Sequence, residues 1–169
     1  MLIALQKRKE NIAEYVLYLW QVEDLLRALQ FSPEAIYSTL VAKTTGTDEQ
    51  QIVELLRKEG KEEKGHLEHT LHLIADMHNL HLQLLKLPLG EHYRATYSQL
   101  VPELPRLRTL IESESISDTE LCFRVLYATL LYRLKGGGER VVEDTLAVVS
   151  PVIGELAMMY GKIERGEID

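Results

Sequence analysis

Apolar residues recur along this chain at intervals of three and four, which places them on one face of an α-helix. No convincing run alternates with the period of two that marks a strand. The first helix is expected from about Lys9 to Gln30, with the stripe Ile12, Val16, Leu19, Glu23 and Leu26. Ser32 followed by Pro33 suits the cap and first position of a second, shorter helix. Thr47 with Gln50 reads as a capping box that opens a third, which Gly60 ends. A fourth is expected from about Glu62 to Leu87, closed by Pro88 and Gly90.

A fifth helix carries Tyr93, Tyr97, Leu100, Leu104, Leu107 and Ile111 on one face, and Pro102 and Pro105 either bend or restart it. Ser117 with Glu120 is another capping box. It opens a helix apolar almost all round (Leu121, Phe123, Val125, Leu126, Leu130, Leu131, Leu134) that stops at Gly136. The last stripe is Val142, Leu146, Val149, Ile153, Leu156, Tyr160 and Ile163, with Pro151 inside it as an expected kink. The pattern therefore predicts one all-α domain over residues 1–169, a bundle of six to seven helices. The first, fourth, sixth and seventh are its long members.

Polar residues that interrupt apolar seams are the candidate chemistry. Glu23 breaks the first stripe, His78 and His81 lie in the seam of the fourth helix, and Arg124 lies in the apolar arc of the sixth. A lone buried charge is too costly to persist. Glu23, Arg124 and one or both of His78 and His81 are therefore expected to meet as a buried polar cluster, with Arg27 a further candidate, either structural or a pocket for acid–base work. On the polar side of the fourth helix His69, His72 and Asp76 are spaced three and four apart, a weak candidate for a metal site that lacks a fourth ligand.

Other motifs yield to simpler accounts. Glu63–His66 has the Glu-x-x-His spacing of a di-iron bundle, but no second copy accompanies it. The triplet Gly136–Gly138 follows a helix rather than a strand, so a helix-ending turn explains it better than a phosphate loop. Cys122 reads as a small buried hydrophobe, and Met158 and Met159 as core or interface filler. No catalytic residue and no cofactor is assigned.

Composition narrows the partners. With 19 Lys and Arg against 26 Asp and Glu the chain carries a formal charge of −7, unsuited to nucleic acid or an anionic membrane. Its single cysteine excludes an intrachain disulfide. The order of the first nine residues, apolar before basic, is not that of a secretory signal. Thr145 to Gly161 reads as too short and too polar to span lipid. Cytoplasmic residence is the expectation.

The chain resembles an uncharacterised family of small bacterial helical proteins known only as a domain of unknown function. The resemblance rests on Asn11-Ile12-Ala13-Glu14-Tyr15, on Trp20 to Ala28, on Lys64-Gly65-His66-Leu67, and on Asn79-Leu80-His81 with Leu84-Leu85. It implies an all-helical cytoplasmic fold without an assigned activity. It also draws attention to Glu23, Asp24, Arg27, His66 and His81. The leading functional expectation is a non-enzymatic protein that acts by protein–protein contact, with a homodimer as one form of that contact. Its one positive sign is apolar residues beyond the seam of the last helix: Val141, Val148, Val152 and Met159. The alternative is a small-ligand binder or acid–base enzyme built on the polar cluster.

Overall fold

Helix is the only regular structure among the described residues of the computed structural model, which are 2–39, 48–111, 115–137 and 140–168. The α-helices are α1 (Leu2–Glu10), α2 (Ile12–Ala28), α3 (Pro33–Thr39), α4 (Asp48–Lys58), α5 (Glu68–Leu84), α6 (Glu91–Leu100), α7 (Leu104–Ile111), α8 (Asp118–Leu134) and α9 (Arg140–Glu164). The four expected long helices are α2, α5, α8 and α9. They pack into two compact units, residues 1–73 and 74–169, with the division inside α5.

Helix boundaries follow local chemistry. The stripe that begins at Ile12 is cut off from α1 at Asn11, whose backbone is extended and whose Oδ1 accepts from Ala13 N at 2.9 Å and Glu14 N at 3.2 Å. That cap costs α1 nothing, since Lys7, Arg8 and Lys9 already favour a helix C-terminus there. Ser32 and Ser117 cap as expected, accepting from Ala35 N and Glu120 N. The proposed Thr47 cap lies outside the described residues. α5 begins at Glu68 rather than near Glu62, because Gly65 is held at φ +94° and residues 61–67 form a loop. Pro102 falls in a 3₁₀ turn, Val101–Glu103, that ends α6 and restarts the chain as α7. α9 runs on through Pro151.

Four helices end in the same way, with paired i−5 and i−3 hydrogen bonds that satisfy their last carbonyls. α4, α8 and α9 place Gly60, Gly136 and Gly166 at the left-handed position of this turn. α2 places Gln30 there, at φ 52°, and Phe31 follows at φ 56°. Each left-handed non-glycine residue costs on the order of 1 kcal/mol.

In the N-terminal unit α2 packs against α1 and α4 over Val16, Leu19, Trp20, Leu26, Ile52 and Leu56. In the C-terminal unit α9 packs against α6 and α8, and α7 against α8, over Tyr93, Leu100, Leu107, Phe123, Val149 and Leu156. Each such side chain stabilises by roughly 1.5–3 kcal/mol when fully buried. α8 is buried through its first half, and its last turn exposes Tyr132 and Leu134. Gly90 is required where it stands, because a Cβ there would fall 1.8 Å from the Leu84 carbonyl oxygen.

α9 corrects one expectation. At 25 residues it is longer than the segment judged too short, and by length and composition alone it is able to cross a membrane. Its polar residues are nevertheless used within the unit. Thr145 accepts from Arg106 Nη2, and Glu155 is held by His92 and Thr96.

Candidate functional site

The N-terminal unit builds its polar group around the loop at 61–67. Glu23 is 0% exposed on α2. Its Oε1 accepts from Leu67 N at 3.0 Å and its Oε2 from His66 Nδ1 at 2.9 Å. The His66 ring stacks on Trp20 with centroids 3.8 Å apart and planes inclined by 13°. Trp20 Nε1 donates to Thr70 Oγ1 at 3.0 Å, and that hydroxyl donates to Leu67 O. One turn along α2, Arg27 donates to the Lys61 and Gly65 carbonyls and pairs with Asp24. Lys61 in turn donates to the His66 carbonyl and to Glu68, whose carboxyl its ammonium holds below the usual range. Together Glu23, Arg27 and Lys61 satisfy the backbone of a loop that has no helix of its own to do so.

The C-terminal unit builds a second group from α5, α6, α7 and α8. His81 Nδ1 and Tyr93 Oη share a hydrogen bond of 2.6 Å, and the Tyr97 ring meets the His81 ring edge-on at 4.7 Å. Tyr97 donates to Asp118 Oδ2 at 2.8 Å, while Arg108 donates to Asp118 Oδ1 and to the Ile116 carbonyl. His78 stacks on His81 at 5.4 Å and shares a hydrogen bond with Thr119 Oγ1.

Burial, together with the neighbouring His78, drives His81 down to about 4, so its imidazole is neutral at pH 7. Burial likewise raises both tyrosines. For Asp118 burial pushes upward, but the bonds from Tyr97 and Arg108 outweigh it and the carboxyl lies below its ordinary value. Cys122, beside this group, is pushed up to about 12 by burial, which makes it an inert thiol. The side chains around His81 leave no volume that a water molecule can occupy.

The expected single cluster of Glu23, Arg27, His78, His81 and Arg124 is thus replaced by two groups with partners of their own. Glu23 takes His66 and a backbone amide. His81 takes a phenol. Arg124 pairs with Glu120, one turn earlier on its own helix, at 3.0 Å. The reason is local: Glu120 lies at i−4, within reach of a half-exposed guanidinium, and needs no long-range partner. Of the metal candidate, His72 and Asp76 are exposed and His69 Nε2 is hydrogen-bonded to Tyr15 Oη at 3.0 Å. Burial, then Arg8 and His72, lowers His69. No group of three metal-ligating side chains occurs among the described residues.

Sequence reading passed over Tyr93, Tyr97 and Asp118 as chemistry. Tyr93 and Tyr97 stand four apart on the buried face of α6, where they count as apolar. Asp118 follows a capping serine, where an acid already suits the helix terminus. A family model described as Domain of unknown function (DUF4924) matches residues 1–167. The chain belongs to that family. No curated protein and no solved structure matches it. Of the polar positions singled out in sequence, Glu23, Asp24, Arg27 and His66 meet at the 61–67 loop, whereas His81 stands in the other polar group.

Proposed function

We propose that this DUF4924 chain is a non-enzymatic cytoplasmic protein that works by protein–protein contact, and that a second copy of itself is one partner. The closure of the His81 group carries the reading. A general acid or base must come within hydrogen-bond reach of its substrate, and His81 is 3% exposed beside space too small for water. The charge of −7 leaves nucleic acid and anionic membrane as poor partners.

Self-contact is supported by apolar surface at the end of α8 and the start of α9. There Leu134 and Val141 are 62% and 64% exposed and Tyr132 is exposed beside them. Val152 and Met159, counted from sequence as surplus, are buried and belong to the core. Sedimentation equilibrium at high micromolar concentration is expected to show a dimer that Leu134→Ser with Val141→Ser dissociates. A monomer at that concentration ends the self-contact.

An acid–base enzyme remains the second reading on one observation: His66, 20% exposed, is oriented by the buried carboxylate of Glu23. The substitution His66→Gln separates the two. A loop clamp loses about 1–3 kcal/mol of stability when the bond to Glu23 goes, while a catalytic imidazole is replaced at little cost or with a gain.

A further inference from the structure

A groove of about 410 Å³ lies between α3 and α4 in the N-terminal unit, the size of small-molecule sites. Phe31, Pro33, Ile36 and Tyr37 supply its apolar lining, and Glu54 and Arg57 its charges. Three features mark it as built for a ligand. Phe31, just past the helix-ending Gln30, is itself left-handed at φ 56°, a conformation that for a bulky residue clusters at functional positions. Tyr37 is 65% exposed beside it.

The third feature is charge. The Arg57 guanidinium lies over the Phe31 ring at 5.8 Å. Among the described residues neither Arg57 nor Glu54 forms an ion pair. Three apart on α4, their Cβ atoms stand about 5–6 Å apart. The groove therefore offers one cation and one anion side by side, next to aromatic faces.

We infer that this groove binds a free aromatic amino acid. The α-carboxylate pairs with Arg57, the α-ammonium with Glu54, and the ring packs among Phe31, Ile36 and Tyr37. A plain aromatic acid gains Arg57 but faces Glu54, and a plain amine gains Glu54 but faces Arg57. A residue within a peptide lacks both charges, and a terminal one lacks either. Only the free zwitterion satisfies the pair. The inference stands independently of the protein-contact reading.

Calorimetric titration of the full chain with L-phenylalanine, 3-phenylpropionate and phenethylamine tests it. Phenylalanine is expected to bind with a Kd of about 1 mM or tighter, and each analogue about tenfold more weakly. Glu54→Gln should erase the preference over 3-phenylpropionate, and Arg57→Gln the preference over phenethylamine. Both side chains are exposed, and unchanged helix content by circular dichroism confirms that the variants fold. Absence of binding at about 10 mM phenylalanine overturns the proposal. So do equal affinity for all three probes, equal affinity for a phenylalanyl dipeptide, and preferences that survive both substitutions.

Discussion

In the N-terminal unit a buried carboxylate collects an imidazole and a backbone amide, whereas in the C-terminal unit a buried imidazole collects a phenol. The first arrangement serves a loop: Glu23 on α2 completes the hydrogen bonding of residues 66 and 67, and Arg27 and Lys61 do the same for their neighbours. The second serves helix packing, joining α5 to α6 through His81 and Tyr93, and α6 to α8 through Tyr97 and Asp118. A carboxyl group is tolerable inside the first because both its oxygens are hydrogen-bonded. In the second the imidazole remains neutral because burial opposes its protonation. Polar residues of similar kind thus answer two separate demands, an unsatisfied backbone and a crowded helix interface.

The sharpest way to break this contrast is Glu23→Ala, which strands His66 Nδ1 and the Leu67 amide. It should cost about 3–5 kcal/mol in urea unfolding, and Glu23→Gln, which keeps an acceptor, distinctly less. Protonation tests the other side. His81 has a folded-state value near 4 against an ordinary 6.5, so the unfolded chain binds the extra proton between those limits. Stability is complete above pH 6.5 and falls as pH drops toward 4, by roughly 3 kcal/mol. Asp118, also lowered, adds a further loss below its ordinary 3.8. Denaturant midpoints measured across pH 7 to 4 should show the fall, and His81→Phe should reduce it, leaving the share of His69, which burial also lowers. A slope undiminished in that variant overturns the assignment.

Tyr93→Phe removes one partner from the 2.6 Å bond and is expected to cost about 1–2 kcal/mol at pH 7. The smallest effect sharpens the comparison at a helix end. Gln30→Gly gives α2 the same turn residue as α4, α8 and α9 and should stabilise by about 1 kcal/mol. Thermal unfolding reads that change directly, and a loss of stability would show that the Gln30 side chain holds something the backbone turn does not.

Much of the architecture was legible because local rules decided it. Ser32, Ser117, Gly60 and Gly136 mark helix ends through hydrogen bonds to residues a few positions away. Asn11 followed the same rule and went unread, because the expected first helix, from about Lys9, ran straight through it. Burial of Glu23 and His81 also followed from their places in apolar seams. Their partners did not. On α5 Leu73, Ile74, Met77, Leu80 and Leu84 are buried while Leu71 and His78, and Leu85 just beyond it, are half-buried, so the buried face is turned away from His78. A rotation of that size is invisible to a helical wheel and decides which side chains meet.

By itself the sequence determined helix throughout, the four long elements and the need of certain ionisable groups for company, since periodicity, capping and the cost of desolvation act within a few residues. Tertiary packing alone decided that a carboxylate would take the imidazole 43 positions ahead and that a buried imidazole would take the phenol 12 positions further on. Hydrogen bonds select by ångströms and direction, and those are fixed only once helices have settled against each other.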